Sequence, residues 1–106
     1  MLIDPASLIG QSLRLRRSAE EDYAVVVGDL IAGRILLKPM AGGGEVWLWS
    51  VTGPHVPPQL HPASGDSASL EEAKGAFKAK FMAWRHWAVA QGGDVNWHTA
   101  VPRVEP

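Results

Sequence analysis

Two of the four histidines, His55 and His61, flank a proline-rich pentapeptide, and this spacing could bring two imidazole rings to one metal ion. A zinc site needs three or four convergent ligands. The chain has no cysteine, and the first carboxylate that follows the pair is Asp66. The spacing therefore favours surface histidines, and we predict no metal and no cofactor. His86, on a basic helix, is interpreted as solvated, and His98 has no evident partner.

Serine-based hydrolysis requires a serine, a histidine and an acid that converge on one site. Ser50, Ser64 and Ser67 are candidate nucleophiles, and their spacing does not exclude that assembly. The sequence has no Gly-x-Ser-x-Gly turn to present such a serine. Glycines 42–44 lead into a strand, whereas phosphate-binding loops lead into a helix. We therefore predict no catalytic residues and no enzyme, and a small hydrolase ranks third among the functions considered.

Five tryptophans combined with a basic helix suggest a second kind of chemistry. Aromatic rings can stack on bases while neighbouring Lys and Arg side chains meet phosphates. The usual reason for a tryptophan on an apolar stripe or strand face is core packing, and this interpretation is preferred for Trp47, Trp49 and Trp84. Under the alternative of a nucleic-acid-binding domain, the candidate contacts are Arg34, Lys74, Lys78, Lys80, Arg85 and Trp87.

A long helix must position the basic residues, and it is predicted from Leu70 to about Gln91. Ser69 and Glu72 form a capping box, in which each side chain accepts from a free backbone N–H at the helix start. Apolar residues then recur at steps of three and four and form one stripe: Leu70, Ala73, Phe77, Phe81, Trp84 and Ala88. Two glycines at 92–93 end the helix. The stripe predicts that Phe77, Phe81 and Trp84 lie in the core.

Three strands are predicted before the helix. Residues 23–27 and 30–38 are apolar runs separated by Gly28-Asp29, which is typical of a two-residue hairpin. After the glycines, residues 46–51 form a third run that is aromatic and β-branched. Residues 53–62 contain four prolines and predict an extended loop. Short connections between the runs indicate an antiparallel meander, and Leu13 to Arg16 alternates like a further short strand.

The hairpin register predicts apolar residues on both sheet faces. Pairing Val27 with Leu30 places Val26 beside Ile31, Val25 beside Ala32, and Tyr23 beside Arg34. One face then carries Tyr23, Val25, Val27, Leu30 and Leu36, and the other carries Val26, Ile31, Ile35 and Leu37.

One helix covers only one of these faces, and an apolar patch above about a few hundred Å² is unusual on a soluble monomer. The chain termini could cover the other face through Leu2, Ile3, Leu8, Ile9 and Trp97, or a second copy could. A symmetric pair is the commonest oligomer, so we predict a homodimer. Its candidate interface is the set Tyr23, Val25, Val27, Leu30 and Leu36.

Composition indicates one globular domain over residues 1–106, with 1–12 and 95–106 as loosely ordered tails. Ten Lys and Arg residues against eleven Asp and Glu give a net charge of −1, which is no general argument for a nucleic-acid or membrane-surface partner. The start of the chain has no secretory signal pattern, and no long apolar run predicts a membrane span. With the absence of cysteine, this favours a cytoplasmic protein.

The order of strand, tight turn, strand, glycine loop, tryptophan-containing strand and Ser-Leu-Glu-Glu-Ala-Lys helix start resembles a group of small uncharacterised bacterial proteins. The matching stretch is Tyr23 to Trp84, and it includes 46–53 and 69–77. The element order is also similar to the arm-type DNA-binding domains of phage integrases and to the plant ethylene-response DNA-binding domain. Those domains read the major groove with a sheet face dense in Arg, whereas the three predicted strands here carry Arg34 and Lys38. The resemblance implies a β-β-β-α pattern and no assigned activity.

We therefore predict an α+β fold in which a three-stranded antiparallel meander packs against one long C-terminal amphipathic helix, with irregular termini. The predicted function is a small, non-catalytic, self-associating protein-interaction domain. Nucleic-acid binding is the alternative.

Overall fold

The computed structural model describes residues 1–98. Within these residues the chain forms one α-helix, two short 3₁₀ helices (Pro5–Leu8 and Pro58–Leu60) and seven strands. The helix is α1 (Leu70–Gln91), and the strands are β1 (Leu2–Ile3), β2 (Leu13–Ala19), β3 (Asp22–Val27), β4 (Leu30–Pro39), β5 (Glu45–Val51), β6 (Ser64–Ser67) and β7 (Val95–Asn96). The predicted α+β class is confirmed.

The main sheet is an antiparallel meander in which β2, β3, β4, β5 and β6 follow one another in both space and sequence. The prediction of three strands is wrong, because the predicted strands are the three central members of five. Strand β2 begins with the Leu-Arg alternation at Leu13 and continues beyond it to Ala19. Strand β6 has the sequence Ser-Gly-Asp-Ser, which has no β-forming preference of its own and pairs with the tryptophan-rich strand β5.

A bulge in β4 corrects the predicted hairpin register. Val27 pairs with Leu30 and Val26 with Ile31 as predicted, but Val25 then lies opposite Gly33 rather than Ala32. Ala32 is therefore the extra residue, and its carbonyl oxygen accepts from the N–H groups of Thr52 (3.0 Å) and Gly53 (2.9 Å). The shift also places Tyr23 opposite Ile35, not Arg34, so every later residue of β4 changes face.

Close approach of the helix requires a glycine immediately after the bulge. A Cβ atom on Gly33 would lie 2.0 Å from the Ser50 carbonyl oxygen and 2.6 Å from the Phe77 ring. Both distances are far shorter than van der Waals contact, so no larger residue fits without displacing the helix or the neighbouring strand. Gly33 therefore faces α1, and its neighbour Arg34 faces away from it.

Helix α1 has the predicted bounds and the predicted start. The Ser69 hydroxyl oxygen accepts from the Glu72 N–H at 3.1 Å, and the Glu72 carboxylate accepts from the Ala68 N–H at 3.3 Å. The backbone at Gly92 ends the helix at a φ of 73°, a value that glycine adopts readily. The helix packs against β4, β5 and β6. Its apolar stripe is buried as predicted, with Phe77, Phe81 and Trp84 at most 1% exposed.

Parts of both terminal segments form regular secondary structure within residues 1–98. Strands β1 and β7 pair with each other, and the 3₁₀ helix Pro5–Leu8 lies against α1. Trp97, which follows β7, is 2% exposed and donates from its indole N–H to the Ile31 carbonyl oxygen at 3.0 Å. The rest of the predicted C-terminal tail, residues 99–106, lies outside the described residues. No helix within residues 1–98 is long and apolar enough to cross a membrane.

Candidate binding surfaces

Helix α1 covers one face of the sheet, and no other element among residues 1–98 packs across the opposite face. We call this opposite face the open face. The strand registers and the alternation of side chains assign its members. Its apolar members are Ala24, Val26, Ile31, Leu36, Val46 and Leu48, and its charged members are Arg14, Arg16, Asp22, Arg34, Lys38 and Asp66. Val26 is buried, the other apolar members are half-buried, and none of them belongs to the core cluster beneath α1.

Two charged residues of the open face form an ion pair. The Arg34 guanidinium donates from Nε to Asp22 Oδ1 at 2.9 Å and from Nη2 to Asp22 Oδ2. These hydrogen bonds, together with the positive charge of Arg34, lower the pKa of Asp22 against the smaller opposing effect of desolvation. The same bonds raise the pKa of Arg34. The Arg34 side chain is 56% exposed, so the pair lies at the solvent boundary.

The predicted interface residues do not share one surface. Val25, Val27 and Leu30 belong to the core beneath α1, with 2%, 0% and 8% of their surface exposed, respectively. Tyr23 is half-buried on the same face of the sheet, and its ring centroid lies 6.4 Å from that of Trp47. Leu36 lies on the open face. The bulge at residue 32 explains this separation, because it moves Leu36 to the face opposite the other four.

The predicted nucleic-acid contacts are also divided between surfaces. Arg34 lies on the open face, whereas the Lys and Arg residues of α1 lie on the other side of the sheet. Lys80 donates to the Leu60 carbonyl oxygen at 2.8 Å, and Arg85 donates to the Leu8 carbonyl oxygen at 3.2 Å. These two cations therefore hold the ends of the two 3₁₀ helices against α1.

The remaining members of that set are Lys74, Lys78 and Trp87. Lys74 pairs with the Glu71 carboxylate at 3.3 Å. Trp87 is half-buried and packs against the core. Lys78 is exposed at the edge of a crevice described below. The structure thus separates the six candidate contacts, and several already have partners within the protein.

Sequence reasoning did not include Arg14 and Arg16 among the functional candidates. Both are exposed on β2, and both point to the open face alongside Arg34. The signal for them was the alternation Leu13-Arg14-Leu15-Arg16, which on a strand sends the two leucines to the core side and the two arginines to the other. The Arg14 guanidinium also donates to the Gly28 carbonyl oxygen at 3.2 Å.

A crevice of about 290 Å³ separates helix α1 from strand β2 on the covered side of the sheet. Its floor is apolar and consists of Leu13, Leu15, Val25, Ile35 and Phe77. The rim on the α1 side carries two cationic side chains, Lys74 and Lys78. An apolar floor beneath a cationic rim suits a group that is apolar at one end and acidic at the other.

The histidines and serines that were considered for chemistry lie apart from this crevice. The His61 ring donates from Nε2 to the Val56 carbonyl oxygen at 2.9 Å, and His55 is exposed. Ser50 and Ser64 lie opposite each other on β5 and β6, on the open face. Within the described part of the chain, no three potential metal ligands cluster together.

No protein-family model, curated protein or solved structure matches this chain. Its function must therefore be inferred from its own surfaces.

Proposed function

We propose that this chain is a small, non-catalytic protein-interaction domain that forms a homodimer through the open face of its sheet. The observation that carries the proposal is the apolar content of that face: Val26 lies beside Ile31 near the β3–β4 turn, Leu36 lies beside Leu48 further along β4, and the row of Ala24, Arg34 and Ser50 lies between the two pairs. An antiparallel sheet with one solvated face usually alternates apolar and polar residues, with the polar residues outward. Burial of the half-exposed Ile31, Leu36 and Leu48 in an interface would remove apolar surface from water.

The charges at the two sides of this face favour a second copy as the occupant. Arg14 and Arg16 lie on β2 at one side of the sheet, and Asp66 lies on β6 at the other. A two-fold axis along β4 places β2 of one copy over β6 of the other, because it reverses the strand order. Arg16 then lies over the segment from Ser64 to Asp66 of the second copy. The contact occurs twice by symmetry, so each end of the interface pairs opposite charges. Near the axis the two Arg34 side chains approach each other, and each keeps Asp22 of its own copy as its counter-ion.

The size of the face indicates the strength of the dimer. Five strands span about 19 Å at about 4.8 Å per spacing, and about six residues along them span about 20 Å. The face therefore measures about 400 Å² in projection, below the roughly 800 Å² per partner of a standard interface. We expect a reversible dimer with a dissociation constant on the order of micromolar.

Sedimentation equilibrium of the wild type and of Leu48→Glu tests the proposal. Leu48 is half-buried on the open face, so a carboxylate there remains solvated in the monomer but is buried unpaired in the dimer. We expect the wild type to dimerise and Leu48→Glu to stay monomeric with an unchanged circular dichroism spectrum. Met82→Glu is the matched control, because Met82 is 45% exposed on α1, away from this face. A wild type that stays monomeric at hundreds of micromolar, or a dimeric Leu48→Glu, contradicts the proposal.

Nucleic-acid binding is the second candidate, and one observation favours it. Strand β2 adds Arg14 and Arg16 to the open face that already holds Arg34 and Lys38, so this face is richer in cations than the three predicted strands implied. Asp22 and Asp66 offset part of this charge. Fluorescence-anisotropy titration with duplex DNA at several salt concentrations tests the candidate. If the chain binds DNA in this way, the logarithm of the binding constant falls as the logarithm of the salt concentration rises. The slope of this line is then shallower for Arg16→Ala than for the wild type.

A further inference from the structure

Strand β2 is an outer strand of the main sheet, and among residues 1–98 it pairs with β3 alone. It is seven residues long, and all except Leu13 and Leu15 are exposed. The outer strand on the other side, β6, has four residues and follows a proline-rich loop. An outer strand presents backbone N–H and C=O groups that another strand can pair with. Within residues 1–98, β2 therefore provides the longer of the two outer edges of the main sheet.

The crevice beside β2 supplies what an added strand needs for specificity. Side chains of an added strand alternate between the two faces of the sheet. Those on the covered side would lie next to Leu13 and Leu15, which line the crevice floor together with Phe77. Those on the other side would lie next to Arg14 and Arg16. Peptides that bind by strand addition gain affinity from main-chain hydrogen bonds and specificity from such pockets.

We propose that β2 binds an extended acidic segment of a partner protein as a sixth strand, with an apolar side chain of that segment in the crevice between β2 and α1. The acidic side chains of the segment lie opposite Arg14 and Arg16, where cross-strand pairs of opposite charge are stabilising. The cations Lys74 and Lys78 on the crevice rim add to the same field. The strand-addition site uses the edge of the sheet, whereas the proposed dimer uses the open face, and Arg16 lies where the two meet and contributes to both.

Charge argues against two occupants from the chain itself. Antiparallel pairing of β2 with β2 of a second copy would bring Arg14, Arg16 and Arg17 of both strands together, and like charges across a strand pair are destabilising. Residues 99–106 contain two prolines, and their one arginine and one glutamate cancel. Proline cannot donate to a strand ladder, so this segment is a poor match for the edge.

The binding test uses a fluorescein-labelled heptapeptide of alternating acidic and apolar residues, Glu-Val-Asp-Leu-Glu-Val-Glu. Three altered peptides separate the contributions of main-chain hydrogen bonds, apolar contacts and charge. The first has methylated alternate amide nitrogens, the second has alanine in place of Val and Leu, and the third has lysine in place of the acidic residues. We expect the parent peptide to bind and each altered peptide to bind at least about tenfold more weakly. Equal binding of the methylated and parent peptides would overturn strand addition.

In the protein, Arg16→Glu should weaken binding of the parent peptide by about tenfold or more, since it replaces a charge opposite to that of the peptide with a like charge. Lys38→Glu is the matched control, because it makes the same charge change on the same face at the far end of β4. Equal weakening by both variants, or equally tight binding of single-stranded DNA of the same charge, would show a general anion surface and overturn the proposal.

Hydrogen exchange locates the bound peptide. We expect slower exchange of backbone amides within 13–19 when the parent peptide is bound, and protection elsewhere with none in β2 would reject this site. The monomeric variant Leu48→Glu separates the two proposals. If that variant binds the peptide as tightly as the wild type does, the edge site is supported whether or not the dimer forms. If that variant loses peptide binding, the site lies on the open face and the edge proposal is overturned.

Discussion

The indole ring of Trp97 meets that of Trp84 nearly edge-on, with ring centroids 5.7 Å apart and ring planes 75° apart. The two indole N–H groups differ. Trp97 Nε1 donates to the Ile31 carbonyl oxygen at 3.0 Å, whereas Trp84 Nε1 is buried without a partner among residues 1–98. The contact joins the centre of α1 to the segment after β7, and its hydrogen bond joins that segment to β4.

This difference predicts unequal costs for the same substitution. Trp84→Phe and Trp97→Phe remove the same volume from the core, but only the second breaks a buried hydrogen bond. We expect Trp97→Phe to lower the free energy of unfolding by about 1 kcal/mol more than Trp84→Phe. Urea unfolding followed by circular dichroism measures both. A larger loss for Trp84→Phe would mean that its N–H is satisfied in solution.

The tight contact at Gly33 predicts opposite effects of glycine replacement at two sites. Gly33→Ala would place a methyl group 2.0 Å from the Ser50 carbonyl oxygen, and we expect it to cost about 2 kcal/mol or more. Gly75 lies inside α1 with nothing within 4 Å of its added Cβ, so Gly75→Ala should stabilise the protein by about 0.5 to 1 kcal/mol. Thermal unfolding compares the two. A neutral Gly33→Ala would show that α1 does not pack this closely.

The Asp22–Arg34 ion pair predicts a stability change in acid. The pKa of Asp22 is lower in the folded state than its ordinary value near 3.9, so the pair stabilises the fold above that value. The contribution is lost as the pH falls below about 5 toward the folded pKa. Because Arg34 is exposed, we expect at most about 1 kcal/mol.

Asp22→Asn should remove this contribution at neutral pH and flatten the acid limb of the curve of unfolding free energy against pH. Asp66→Asn is the control, since Asp66 lies on the same face but exposed on β6. Urea unfolding from pH 3 to 7, with about one unit between points, gives both curves. An unchanged acid limb in Asp22→Asn would exclude the ion pair as its source.

Local signals explain why the sequence predicted α1 and the hairpin turn. The capping box at Ser69, the stripe of apolar residues and the terminal glycines all act within a few residues of the structure they specify. The turn at Gly28-Asp29 likewise depends on backbone conformation alone. The bulge at Ala32 instead involves residues that are far apart in the chain, because the Ala32 carbonyl oxygen accepts from the N–H groups of Thr52 and Gly53. No local pattern contains that information.

The candidate surfaces were less predictable from the sequence than α1 and the hairpin turn. Arg14 and Arg16 were visible as an alternating pattern, and placing β2 in the sheet was enough to assign them to the open face. The five predicted interface residues do not share one surface, because a one-residue shift in β4 moves Leu36 to the opposite face of the sheet. The partners of Lys80 and Arg85 are carbonyl oxygens of distant 3₁₀ helices, and a charge pattern cannot reveal them.

The sequential order of the five-stranded sheet has a consequence for how the chain folds. Each of its strands pairs with the strand next to it in the chain, so the sheet can grow by closing short loops, at a small entropic cost for each. The pairing of β1 with β7 is the exception, because it joins the two ends of the described chain. We expect that pairing to form after the meander and α1, because it closes the longest loop. Its few hydrogen bonds are also the ones we expect to open first in the native protein, without unfolding the rest.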